Sequence, residues 1–341
     1  MNDQVPPEQQ EQWQPAFFPR DPDYGKANEK PVVAIVGHGF VGKAVERALH
    51  HDIERFLVDP NYGTTIDQLT SRQPVLTFVC TPTPTTSKGR IDAAVTVDAV
   101  LKLINNTQSA VVLKSTVTPD VIEKITRSIE QKGCPDRFIY APEFLTEKNA
   151  DHEYCHPKFM VFGGVESCVA ELIGFLQSST SVILPKNTED NGGIHICHPV
   201  EASFVKYAIN AFLAMKVTFL NQLVDAMGDE QYTVTPLRVL KILAAEPRLG
   251  SSHWRAPGPD GKRGFGGACF PKDVAALTTY SDKLSLLEKM MDINNEYRKE
   301  YDLDDREVEQ NIDFGKGESN VDNGQTEEEQ QDQDSTDAVE E

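Results

Sequence analysis

No run of apolar residues in this sequence approaches the ~20 that a membrane-spanning helix requires. Polar or charged residues interrupt each run early, so no membrane partner is expected. The first residues lack a basic start followed by an apolar stretch, which removes a secretory leader from the reading. Basic residues are scarce: 33 Lys and Arg stand against 53 Asp and Glu. Binding nucleic acid needs Lys and Arg stripes that displace counterions from phosphates, so that class is set aside. Cysteine is sparse as well, with six residues spread over 341 positions. That is too dispersed for the disulfide framework of a small secreted domain. Reduced thiols and a cytoplasmic location follow as expectations.

The negative charge is unevenly placed. Residues 302–341 hold 16 acidic and 2 basic residues, a net of −14 out of −20 for the chain. Few large apolar residues accompany them, so the segment reads as a disordered acidic tail. Residues 1–29, rich in Pro, Gln and charge, read as a disordered arm.

Between these ends the pattern changes once. Over residues 30–198, short β-rich runs such as Val32-Val33-Ala34-Ile35-Val36 and Val75-Leu76-Thr77-Phe78-Val79 alternate with helical stretches. Six such runs predict right-handed crossovers and a doubly wound parallel sheet. Over residues 199–301, Phe204, Ala208, Phe212, Met215, Phe219, Leu223 and Ala226 recur at helical spacing. One long helix over 199–228 is predicted, then helices over 234–245 and 274–299. The fold class is therefore α/β, a dinucleotide-binding sheet domain followed by an all-helical central domain.

The first strand runs into Gly37-His38-Gly39-Phe40-Val41-Gly42, which opens a helical stretch. In a Gly-x-Gly-x-x-Gly turn the first glycine permits the tight bend, the second admits a pyrophosphate to the backbone, and the third lets helix and strand pack closely. The helix N-terminus presents N–H groups to the phosphates. Asp59, 20 residues after Gly39 at the end of the second strand, can hold the ribose hydroxyls of NAD and repel the 2′-phosphate of NADP. NAD is the predicted cofactor, although Lys43 and Arg55 stand close by in sequence.

A second glycine-rich segment, Gly264-Phe265-Gly266-Gly267-Ala268-Cys269-Phe270-Pro271-Lys272-Asp273, leads into a helical stretch. A thiol beside a helix N-terminus and a lysine ionises more readily than a free one, and thiolate is the form that attacks a carbonyl. Asp273 follows by one helical turn. The plainer use of a cysteine is as a small buried hydrophobe.

This segment resembles the active-site signature of the UDP-glucose/GDP-mannose dehydrogenase family. Lys114-Ser115-Thr116-Val117, Pro142-Glu143-Phe144-Leu145-Thr146-Glu147, the stretch from Glu201 through Lys206, Asn210 and Asn221, and Arg248-Leu249-Gly250 resemble four more of its motifs in order. The resemblance spans residues 32–300. It implies oxidation of a sugar C6 alcohol, as in UDP-glucose, to a carboxylate with two NAD, and a homodimer built on the long helix. Cys269 would capture the aldehyde as a thiohemiacetal that becomes a thioester. Asp273 and Thr116 would position water and help take the hydroxyl proton, Lys206 and Asn210 would steady the oxyanion, and Glu143 would serve thioester hydrolysis. Phe40, Val41, Thr81 and Thr116 would join the glycines and Asp59 around the cofactor. Phe144, Leu145, Glu147, Phe265, Gly266, Gly267 and Arg248 would line the sugar pocket, Arg248 reaching across to the partner subunit. The plain readings are a solvated Glu143–Glu147 pair, a Lys206 snorkelling from its helix, and a Thr116 that ends a strand.

The sequence departs from the family in places. Ala141 stands where the family has Asn before Pro-Glu-Phe, and the loop between Arg248 and Gly264 is long. Many relatives carry a further nucleotide-gripping domain where residues 302–341 stand. A short form, a partner-completed site, a different substrate and a non-catalytic NAD-binding homologue are the alternatives. His152, Cys155, His156, His195, Cys197 and His198 have metal-capable side chains, but their spacing fits no standard zinc site, so no metal is expected.

Overall fold

The computed structural model describes residues 30–146, 149–188, 192–228 and 234–315. The expected arm over 1–29, the tail beyond 315 and Glu147 lie outside the described residues.

Seven strands form one sheet: β1 (Val32–Val36), β2 (Glu54–Val58), β3 (Leu76–Val79), β4 (Ala110–Leu113), β5 (Phe138–Tyr140), β6 (Phe159–Gly164) and β7 (Gly193–Cys197). Their order is β2-β1-β3-β4-β5-β6-β7. The chain crosses from one side of β1 to the other between β2 and β3, so the crevice for a ligand opens at the carboxyl ends of β1 and β3. Strands β1 to β5 are parallel, as predicted. Strand β6 runs antiparallel to β5, and β7 runs parallel to β6. This reversed pair departs from the expected all-parallel sheet, and β7 was not foreseen. Its Gly-Ile-His-Ile-Cys run is short and half polar, which matches an edge strand open to solvent on one side.

Helices cover both faces: α1 (Phe40–Ala48), α2 (Leu69–Arg72), α3 (Ala94–Asn106), α4 (Pro119–Gln131), α5 (Ala150–Cys155) and α6 (Glu166–Ser179). Because strand side chains alternate, Val33, Ile35, Phe78, Val112 and Ile139 pack under α1 and α6. Ala34, Val36, Val79, Val111, Leu113 and Tyr140 pack under α3 and α4.

The helical region begins with α7 (Pro199–Gly228), at the predicted bounds. Only His198 separates it from β7. The His198 N–H donates to the Glu201 carboxylate at 2.8 Å, and Pro199 rests on Gly163, where a Cβ would collide with it. By length and composition alone α7 could cross a membrane, its most apolar window having a mean hydropathy of 1.2. That corrects the expectation that no segment came near. Half of that window is nevertheless buried in the protein, and Lys206, Asn210 and Asn221 are buried too, which is the pattern of a core helix. Then come α8 (Pro236–Ala244), α9 (Phe270–Tyr280) and α10 (Ser285–Arg298). The single helix expected over 274–299 is two, because Ser281 turns extended. Tyr207, Ala211 and Ala214 of α7 pack with Val274, Leu277, Leu287 and Met290 in a third core.

The expected tail boundary at residue 302 is wrong. Residues 305–309 form α11 (Asp305–Glu309), closed by a capping box between Asp304 and Glu307. Glu307, Ile312 and Phe314 are buried, and the Thr85 N–H donates to the Gln310 carbonyl at 3.0 Å. The acidic composition concealed a docked segment, because only Ile312 and Phe314 among its few apolar residues pack while Leu303 and Val308 stay exposed. Ending the chain after residue 301 should lower the melting temperature by at least about 6 °C. That follows from roughly 1.5–3 kcal/mol for each of two buried large side chains and about 2–4 °C per kcal/mol for a chain of this size. An unchanged thermal midpoint would show that the segment does not dock.

Candidate active site

The glycine turn meets the steric demands expected at Gly37 and Gly42 and leaves open space at Gly39. Gly37 has φ +88°, and a Cβ there would lie 2.7 Å from the Cys80 carbonyl. A Cβ on Gly42 would collide with the Gly37 carbonyl, so α1 packs against the turn only because Gly42 has none. Gly39, the N-cap of α1, has nothing within 4 Å of such an atom, which leaves open backbone for phosphates. Asp59 accepts from the His38 N–H at 2.8 Å and from the Asn61 N–H at 3.0 Å. The His38 N–H holds its carboxyl below the ordinary carboxylate range, against the opposing effect of burial. Each oxygen keeps a lone pair for a ribose hydroxyl. The His38 ring bridges Glu46 at 2.8 Å and Tyr62 at 2.7 Å, fixing one wall of this site. His38 and Tyr62 were not foreseen as part of it. Thr81 is buried and shares hydrogen bonds with Thr96 and Ser115. Thr83 bonds the Thr116 carbonyl at 3.0 Å, tying the ends of β3 and β4 together.

The chemistry-bearing residues gather around α7. Lys206 and Asn210, one turn apart, share a face. Lys206 lies 5.3 Å from the Phe144 ring, next to Glu143. Asn210 donates to Asp273 Oδ2 at 2.6 Å, and Lys272 Nζ lies 2.5 Å from Asp273 Oδ1. Asp273 is 2 % exposed, and each of its oxygens has one partner and keeps a further lone pair. Cys269 is the N-cap of α9, and its carbonyl accepts the Asp273 N–H at 2.9 Å. At the other end, Lys114 pairs with Glu143 in a mostly buried ion pair.

A cavity of about 550 Å³ is lined by Lys114, Glu143, Phe144, Leu145, Thr146 and His253. The His253 ring packs 5.4 Å from that of Phe270, the neighbour of Cys269. The cavity thus runs from the Lys114–Glu143 pair towards the thiol helix. Burial, with the Lys216 charge, pushes His253 below the usual imidazole range. Lys216 stitches the long 250–263 loop to α7, bonding the Leu249 and Gly250 carbonyls at 3.0 and 3.2 Å and lying 4.0 Å from the Trp254 ring.

Of the expected residues only Glu143, Phe144 and Leu145 line this cavity; Cys269, Lys206, Asn210, Asp273 and Thr116 stand outside its lining. The Phe265 side chain is 3 % exposed and packs in the third core, so only its backbone is left for a ligand. The Arg248 side chain is 87 % exposed and pairs with Glu246 at 2.8 Å. Lys114, Lys272 and His253 were missed as site residues. The two lysines stand inside quoted motifs, and a lysine at the end of β4 or beside Asp273 carried a signal. Among the described residues no group of His, Cys, Asp and Glu could hold a metal ion. His152 and His156 stack at 4.4 Å, while His195 bonds the Gly192 carbonyl.

A crevice at the carboxyl ends of parallel strands, with a glycine turn and an acid beyond the second strand, defines a dinucleotide-binding fold of the dehydrogenase type. Residues 43–177 match the NAD binding domain, and residues 200–296 the central domain, of UDP-glucose/GDP-mannose dehydrogenases. The chain belongs to the UDP-glucose/GDP-mannose dehydrogenase family. It is 28% identical over 239 residues to the UDP-glucose 6-dehydrogenase of Rickettsia bellii, covering 70% of this chain and 50% of that protein. It is 29% identical over 287 residues to that of Haloferax volcanii, covering 77% and 64%. The chain spans about half the length of the first of these curated relatives. Its fold is similar to that of a UDP-glucose dehydrogenase from Pyrobaculum islandicum, with TM-score 0.59, 23% identity and coverage of 81% of this chain and 70% of that one.

The open backbone at Gly39 and the lone pairs of Asp59 fit NAD. In binding titrations NAD should bind at least about tenfold more tightly than NADP, since a 2′-phosphate would meet the Asp59 carboxylate. Equal affinities would remove Asp59 from that role.

Proposed function

We propose that this chain oxidises the C6 alcohol of a nucleotide sugar, of the UDP-glucose kind, to a carboxylate. The observation that carries the proposal is the reach of α7, which places Lys206 beside the Glu143 loop and Asn210 on the Asp273 carboxylate of the thiol helix. NAD held by the Gly37–Gly42 turn and Asp59 would supply the oxidising power, accepting one hydride in each of two steps. The chain's own residues do the rest. Thr116 and Asp273 hold the water that relays the hydroxyl proton away as the alcohol becomes an aldehyde. The Cys269 thiolate adds to the aldehyde carbon, and Lys206 steadies the oxygen that gains charge. Loss of the second hydride leaves a thioester on Cys269. Glu143 draws a proton from water, the hydroxide oxygen joins the acyl carbon, and the C–S bond breaks to return the thiolate. Lys114, paired with Glu143, fixes where that side chain stands. Asn210 is assigned a share in the oxyanion site through its second amide N–H, since the first is bound to Asp273. A thiolate nucleophile requires a reducing compartment, which is the reason for placing the reaction in the cytoplasm.

A homodimer belongs to the same reading. Phe212 and Phe219 of α7 are 60 % and 58 % exposed, and Arg248 is exposed and does not line its own cavity. Pairing of two α7 helices would cover the first and direct the second to a partner's pocket. A non-catalytic homologue is the second reading, favoured by the exposed Arg248. Light scattering at micromolar concentration should give at least a dimer; a clean monomer would remove the role of Arg248.

Turnover decides between the readings. NADH formation over a panel of UDP- and GDP-sugars should identify the substrate. Cys269→Ser should keep NAD binding and lose acid formation by on the order of 10³-fold or more, about 1.4 kcal/mol of barrier for each tenfold. Glu143→Gln should stall at hydrolysis and leave a sugar adduct on Cys269, visible in the intact mass. Acid formation by Cys269→Ser at the normal rate would refute the covalent mechanism.

A further inference from the structure

The loop that leads to Cys269 has almost no side chains with which to hold itself. Its backbone is held from two later helices. Asn294 of α10 accepts from the Phe265 N–H at 2.6 Å and donates to the Phe265 carbonyl at 3.0 Å. Glu307 of α11 accepts the Gly267 N–H at 2.9 Å on Oε1, the same oxygen that takes Arg298 Nη2 at 2.5 Å. Arg298 Nη1 reaches Asp260 Oδ2 at 2.8 Å, on the preceding loop. Arg298 and Glu307 are 1 % and 0 % exposed. A Cβ on Gly266 would collide with both side chains, so the loop backbone lies directly on the ion pair.

The segment that carries Glu307 also touches the cofactor side. Thr85 bonds the Gln310 carbonyl through its N–H, and Asn311 Nδ2 donates to the Thr85 carbonyl at 3.3 Å. Thr85 lies between β3 and α3, on the loop that leaves the carboxyl end of β3. Residues 304–314 therefore tie the dinucleotide crevice to the thiol loop.

A buried ion pair is a weak source of stability, since apolar replacements of similar volume often serve as well. What this pair adds is an acceptor for a backbone N–H two residues before Cys269. We infer that Glu307 is a positioning residue for the thiol: it fixes Gly267, where φ is +79°, and segment 304–314 sets that fixed point in register with the cofactor loop. The inference rests on the reading of Cys269 as the nucleophile.

Two double variants of the full chain separate this role from plain structural support. Arg298→Met with Glu307→Gln removes the ion pair but keeps an oxygen for Gly267. Arg298→Met with Glu307→Leu removes both. The rate of alkylation of Cys269 by iodoacetamide, followed by peptide mass spectrometry with the other five thiols as references, should differ between the two by about fivefold, the effect of one ordinary hydrogen bond. Steady-state kcat should fall in the Leu variant alone, with NAD affinity unchanged in both. Equal alkylation in the two variants would overturn the inference. Glu307→Asp covers the case in which neither double variant folds: the charge stays and the reach shortens. Amides of residues 264–269 should then exchange hydrogen faster while those of α10 do not, and unchanged exchange would overturn the inference equally. Alkylation needs no turnover, so normal acid formation by Cys269→Ser would remove the nucleophile while leaving the hold on Gly267 measurable.

Discussion

The Asp273 carboxylate is the group on which the helical half of the molecule depends. It is almost fully buried, and both of its oxygens are taken, one by Lys272 and one by Asn210. A lone carboxylate in such a place would cost several kcal/mol or take up a proton. The lysine balances its charge and the amide gives its second oxygen a donor. This arrangement also locks α9 to α7, since Asn210 belongs to one helix and Asp273 to the other. Cys269 begins α9, so a polar bond in the core sets where the thiol stands. The same physics recurs at the loop, where Arg298 and Glu307 compensate each other and the surplus lone pair serves a glycine N–H.

Much of this was legible in the sequence because it rests on periodicity and glycine. The glycine turn, Asp59 and the bounds of α7 follow from strong local signals: tight steric demands at Gly37 and Gly42, and an apolar repeat over thirty residues. The nearness of Lys206 and Asn210 follows from helical spacing alone. What was not legible depends on contacts between distant segments. Nothing local distinguishes Glu307 from the other acids of its stretch; only Arg298 and Gly267, brought to it by the fold, make it different. Lys114 reads as the end of a strand until Glu143 is set beside it. Phe265 lies in a pocket-like motif, yet its ring turns into the core. β7 was hidden because an edge strand needs apolar residues on one face only.

The two lobes divide the work by the kind of group each presents. The sheet offers backbone: open N–H groups at Gly39 and hydrogen-bonded turns around Asp59, suited to phosphates and ribose. The helices offer charged side chains and a thiol, with Asp273 held by partners that are themselves buried. Residues 304–314 belong by sequence to the helices and by contact to both lobes.

The reversed strands β6 and β7 set how α7 meets the crevice. Because they run against β1 to β5, the chain enters α7 at the edge of the sheet opposite the crevice and must climb past it, with Ser203 already bonded to the Val117 carbonyl at 2.7 Å. Pro199 is seated on Gly163 and a single residue joins strand to helix, so the angular phase of α7 is indexed at its foot. An α-helix advances about 100° per residue. Lengthening or shortening the junction by one residue would therefore swing Lys206 and Asn210 together away from Phe144 and Asp273. The β7–α7 joint works as a fixed gear, and the tolerance to insertion that loops elsewhere enjoy does not extend to it.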